Sequence, residues 1–98
     1  MYYFFLGEDK SCAVDHKTLK TGGYQCNGTC INNNIGYQNW SMAWEMCKQV
    51  EACSRIIFTW ENGSYYSFRL RKEDDIFDND PTYLHVDIHP DCKGRILK

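Results

Sequence analysis

Apolar positions fall into periodic runs along the middle and C-terminal parts of the chain. Ala43, Met46, Cys47 and Val50 recur at i, i+3, i+4 and i+7, so one apolar stripe runs along about three helical turns. Ser41 is the expected N-cap, because its hydroxyl can accept a hydrogen bond from a first-turn amide, and the helix is expected to end near Ala52. Residues 55–60, rich in β-branched and aromatic side chains, predict a strand. Glu61-Asn62-Gly63-Ser64 turns it into a second strand over residues 65–71. There Tyr66, Phe68 and Leu70 alternate with Ser67, Arg69 and Arg71, which predicts an apolar face and a wet face. Leu84, Val86 and Ile88 alternate in the same way with His85, Asp87 and His89, a further half-buried strand that ends before Cys92.

The N-terminal part is less periodic. Tyr2, Tyr3, Phe4, Phe5 and Leu6 form an aromatic, strand-prone run closed by Gly7. Residues 1–10 are therefore set apart as an extra strand or an arm that pairs with a neighbour, and residues 11–98 as one domain. Residues 11–37, with Gly22-Gly23 and Asn32-Asn33-Asn34, predict short strands joined by loops.

Composition narrows the setting. A chain of 98 residues, 43% hydrophobic, has material for one core and not two. A net charge of −2 leaves no footprint for nucleic acid and little for an anionic membrane surface. The apolar start is too short to span a bilayer and lacks the basic leader and small-residue cleavage site of a signal peptide. Secretion is nonetheless expected, with a leader already removed or the chain starting inside a longer precursor. Six cysteines suit an oxidising compartment, and three sequons, Asn27-Gly28-Thr29, Asn39-Trp40-Ser41 and Asn62-Gly63-Ser64, are acceptors for N-linked glycans. All three asparagines fall at expected turns: between Cys26 and Cys30, ahead of the helix, and at the hairpin tip.

The order helix, short loop with a cysteine, aromatic strand, turn and strand resembles the PAN/apple domain family. The matching run extends from Trp44 through Cys47 and Cys53 to Phe58 and Trp60. Cys47 and Cys53 fit two of the family's cysteines. The places of two others fall at Ala43 and Phe68, which form one bridge in that family, so their joint absence implies a disulfide replaced by an apolar contact. The resemblance covers residues 12–92 and implies an α+β fold: a small disulfide-stapled domain with one helix packed on a twisted antiparallel sheet. It also implies a bridge from Cys12 to Cys92, with Cys47 paired to Cys53 and Cys26 left with Cys30, a segment that departs from the family pattern. In the chain-entropy account the long closure contributes about 4 to 5 kcal/mol and each short one about 2 kcal/mol.

Chemistry-bearing clusters are weaker. His85-x-Asp87-x-His89 puts three possible zinc ligands on one strand face, but the two histidines stand about 13 Å apart along a strand, and a solvated face is the expected reading. Glu73, Asp74, Asp75, Asp78 and Asp80 offer oxygen ligands without the spacing of a calcium loop, and a plain exposed loop is expected. His16, His85 and His89 follow no catalytic spacing, and the cysteines serve better as bridges than as nucleophiles, so neither an enzyme nor a cofactor is expected. Of the aromatic residues, Trp60, Tyr66 and Phe68 are expected in the core. Trp40, Tyr65 and residues 2–5 are candidates for exposure, as contact surface for protein or sugar, with burial the commoner fate of any one of them. Resemblance and composition together imply a non-catalytic extracellular adhesion or interaction module that binds protein or glycan. The alternative is a structural subunit of a glycosylated filament or coat, assembling as a homo-oligomer through its N-terminal arm.

Overall fold

The computed structural model describes residues 19–61 and 63–88. The expectations placed on residues 1–10, His16, Cys12, Cys92, His89 and Asn62 lie outside the described residues. Within them the chain forms β1 (Lys20–Thr21), β2 (Gly23–Gln25), α1 (Trp40–Gln49), β3 (Cys53–Glu61), β4 (Tyr65–Lys72), β5 (Ile76–Asp78) and β6 (Tyr83–Asp87).

Asn39, not Ser41, caps α1. Its backbone is extended (φ −148°, ψ 166°), and its Oδ1 accepts a hydrogen bond from the Met42 amide at 2.9 Å. Asparagine caps as well as serine, and here it comes first, so Ser41 falls inside the first turn. The helix stops short of Ala52: Val50 turns extended while its amide still bonds the Met46 carbonyl at 3.1 Å. Ala43, Trp44 and Cys47 form its buried face, with Trp40, Met46 and Val50 packed around it.

Four strands form an antiparallel sheet in the order β1-β6-β3-β4. Its register sets Ile56 opposite Leu70 and Phe58 opposite Phe68 in the hairpin, with Val86 and Leu84 beside them on the other flank. These residues therefore share one face. Ile56, Phe68, Leu70 and Val86 close with Ala43, Trp44 and Cys47 into one apolar cluster beneath α1. Ala43 and Phe68, where the family resemblance leaves out a bridge, are both buried in it.

The opposite face corrects the expectation of a wet side. Ser67, Arg71, His85 and Thr59 are buried there. Strands β2 and β5 pair into a two-stranded antiparallel ribbon, with Tyr24 opposite Phe77, and this ribbon covers the face. The Tyr24 ring lies 4.0 Å from the Arg55 guanidinium and 5.1 Å, edge to face, from the His85 ring. Polar side chains tolerate this cover because it supplies acceptors: His85 Nδ1 lies 2.8 Å from the Gly22 carbonyl, and Arg71 Nε donates to the Tyr24 carbonyl at 2.6 Å. Gly22 takes φ +106°, and a Cβ there would meet the Phe77 ring at 2.8 Å, so the position suits glycine. Next to the ribbon, Asn32, Asn33 and Asn34 all adopt positive φ, a left-handed turn that asparagine tolerates. That turn delivers Asn34 Oδ1 to Arg71 Nη1 at 2.8 Å.

The acidic segment is likewise more than an exposed loop. It contains β5, and Asp75 is buried, its two oxygens accepting from the amides of Asn27 (2.8 Å) and Lys72 (2.7 Å). Two disulfides staple the described chain: Cys47 to Cys53 joins the end of α1 to the start of β3, and Cys26 to Cys30 closes the loop after β2. Among the described residues the result is a small α+β fold with one α-helix, antiparallel sheets and disulfide cross-links.

Candidate functional site

Six aromatic rings run in unbroken contact from the core to the surface along the helix-facing side of the sheet. Trp44 stacks on Trp40 with ring centroids 6.2 Å apart, and Trp40 meets Phe68 edge to face at 6.3 Å. Phe68 stacks on Phe58 at 5.1 Å, and Phe58 meets Tyr66 at 5.9 Å. Tyr66 then meets Trp60 at 4.7 Å with an interplanar angle of 70°. Exposure rises along the row from 2% at Trp44 and 9% at Phe68 to 45% at Tyr66 and 52% at Trp60.

The register explains the open end. Trp60 stands opposite Tyr66, two positions along the strand from the Phe58 and Phe68 pair and on the same face. Period-two alternation therefore assigned the pair to the correct face, but the cover over that face gives out before the hairpin turn. Trp60 and Tyr66 were expected in the core and are exposed; Trp40, a candidate for exposure, packs against the core cluster. Tyr65, the other candidate, is 49% exposed. The turn itself is tight: the Ser64 amide bonds the Glu61 carbonyl at 2.9 Å, and Gly63 takes φ +69°.

Two rings meeting at a steep angle leave a corner with one flat apolar wall from each, plus an indole N–H and a phenol O–H at the edges. Tyr66 rests against Phe58 and the buried Phe68, and Trp60 rests against Tyr66, so the corner is tied to the core on one side.

The other residues singled out by sequence divide between braces and surface. His85 points under the ribbon. Asp87 pairs with Lys20 Nζ at 2.8 Å and Arg55 Nε at 3.1 Å. Burial acts to raise the Asp87 pKa, but the hydrogen bond and charge of Lys20, with the charge of Arg55, outweigh it and hold the carboxyl below its ordinary range. The same hydrogen bond raises Lys20. Asp80 is held down by hydrogen bonds from the Thr82 amide (2.9 Å) and hydroxyl (2.7 Å). Among the described residues, no three His, Cys, Asp or Glu side chains converge as a metal site. Asn39 is exposed, and its capping role engages Oδ1 only. Asn27 is exposed too, but its Nδ2 donates to the Asp74 carbonyl at 3.2 Å. Arg71, buried and polar, attracted no notice in the sequence; its one signal was membership of the alternating set with Ser67 and Arg69.

No protein-family model matches the chain, and no curated protein or solved structure shows significant similarity to it. Among the described residues no helix is long and apolar enough to cross a membrane. Two disulfides in so small a domain suit an oxidising, extracellular setting.

Proposed function

We propose that this domain is a non-catalytic extracellular interaction module of a secreted, N-glycosylated protein, of the PAN/apple type, and that it binds glycans through the Trp60 and Tyr66 corner. The observation that carries the reading is the ladder itself: two large rings, about half exposed, linked through three further rings to Trp44, which is 2% exposed. Exposed aromatic side chains on a fixed scaffold concentrate binding energy, and flat ring walls suit the apolar C–H face of a sugar.

Support for a non-catalytic role comes from the titratable groups, since His85, Asp75, Asp80 and Asp87 are all engaged in local hydrogen bonds or ion pairs. Support for glycosylation comes from Asn39. A glycan is attached through Nδ2, which leaves Oδ1 free to go on capping α1.

An array of immobilised glycans tests the reading. The folded domain should retain a subset of them, and the Trp60→Ala, Tyr66→Ala double variant should lose that retention while keeping the wild-type circular dichroism spectrum. Undiminished binding by the double variant rejects the corner as the contact surface.

A further inference from the structure

Between the ribbon and strands β3, β4 and β6 lies a half-open cavity of about 290 Å³, whose lining includes Tyr24, Ile57, Arg71, Asp78 and Tyr83. It is on the face of the sheet opposite the aromatic corner. Arg71 is the side chain that demands an account. It is 5% exposed, and its guanidinium is held on two sides: Nε by the Tyr24 carbonyl (2.6 Å), and Nη1 by Asn34 Oδ1 (2.8 Å) and the Leu70 carbonyl (2.9 Å).

Every one of those acceptors is neutral. Among the described residues, no carboxylate oxygen lies within 4.0 Å of this guanidinium. Among the described residues Nη2 has no hydrogen-bond acceptor, and it is not fully enclosed: the sealed side-chain atoms without partners there are Trp40 Nε1 and Ser54 Oγ. A buried cation without a counter-charge is costly. Burial accordingly pulls the Arg71 pKa below its ordinary range, which the charge of Asp75 only partly opposes.

We propose that this cavity binds one carboxylated sugar ring, a hexuronic acid, with its carboxylate on Arg71 Nη2. The volume sits at the small end of ligand pockets, enough for a single ring. The lining is mainly polar, since Ile57 is 2% exposed and the Tyr24 ring is already packed against Arg55, His85 and Phe77, so hydroxyl-rich ligands suit it better than apolar ones. Two acidic residues, Asp78 and Asp80, share the lining with Arg71. They disfavour a polyanion but accept hydrogen bonds from hydroxyl groups, so one negative charge and several hydroxyls match this wall. Asp78 Oδ2 accepts from Gln25 Nε2 (2.7 Å) and Oδ1 from the Asp80 amide (3.1 Å), and each oxygen has a further lone pair for a ligand hydroxyl.

Titrations of the wild-type domain with glucuronate and galacturonate, followed by amide chemical shifts, provide the test, with their methyl esters and glucose as controls. At least one free acid should bind saturably and shift residues around Tyr24 and Tyr83. Esters and glucose should bind about tenfold more weakly or worse, the value of a lost charge-assisted hydrogen bond. Arg71→Lys should lower affinity for the acid and leave the ester unaffected. Should that variant not fold, the comparison of acid and ester on the wild-type chain decides alone. Failure of both acids to bind, or equal affinity for acid and ester, overturns the proposal. The Trp60→Ala, Tyr66→Ala double variant should bind the acid as the wild type does, so failure of the aromatic corner as a binding surface leaves this result standing.

Discussion

The two faces of the sheet are buried to the same depth by opposite means. Between α1 and the sheet, Ile56, Leu70 and the helix's own Trp44 are 0%, 1% and 2% exposed in an apolar cluster. Under the ribbon, Ile57, His85 and Arg71 are 2%, 3% and 5% exposed, and the polar Thr59 and Ser67 are buried on the same face. The first face gains from removing apolar surface from water. The second must exchange each water hydrogen bond for a protein one, which returns little net stability but fixes orientation, since a misplaced partner leaves a donor or acceptor unsatisfied. One face supplies cohesion, and the other supplies positioned polar groups with a cavity among them.

The sharpest way to break this contrast is along the aromatic row, whose two ends share chemistry and differ in burial. Trp44→Ala should cost about 3 to 5 kcal/mol, the usual range for emptying a buried tryptophan site. Trp60→Ala should stay within about 0.5 kcal/mol, as surface changes do. Urea denaturation of both variants checks the pair, and comparable losses would mean that the exposed end is part of the structural core.

How legible each face was follows from the range of its contacts. The stripe through Ala43 and Cys47 and the hairpin around Gly63 are local patterns of known period, and both are present. The ribbon is built from two three-residue strands, too short for a period to show, and its bonds are long-range: Arg71 reaches Tyr24 across 47 positions. Nothing near Ser67 or His85 in sequence announces that cover. Alternation therefore sorted residues between faces correctly and misjudged which polar face met water. Trp60 shows the converse case, right face and wrong burial, because the extent of the helical cover is a tertiary property. Arg71 was illegible for the same reason as the ribbon: apart from the neighbouring Leu70 carbonyl, its partners Tyr24 and Asn34 are 47 and 37 positions away.

The polar face has its own close-packed point at Gly36. A Cβ there would collide with Ser67 Oγ and sit 3.2 Å from Arg69 Nη2. Gly36→Ala should therefore destabilise by about 1 to 3 kcal/mol, as overpacking does. Combining it with Ser67→Ala removes the struck atom, so the double variant should recover part of that loss, a coupling that a double-mutant cycle measures directly. Strict additivity would mean that the loop does not bear on β4.

The smallest expected effect lies at the edge of the same face, where Asp87 joins Lys20 and Arg55. Its carboxyl is depressed in the fold, so its ionised form stabilises the native state above the ordinary aspartate value of 3.8, and that contribution is lost as pH falls through the lower folded value. Its side chain is 44% exposed, so solvent and salt screen the pair and the stabilisation should be only about 0.5 kcal/mol. Asp87→Asn should be less stable than the wild type by that amount at neutral pH in low salt. The two stability curves should converge in acid, below the depressed pKa, and high salt should narrow the gap at neutral pH. A difference that persists unchanged into strong acid would show that Asp87 acts through its shape and hydrogen bonds, and that charge plays no part in holding this edge of the polar face.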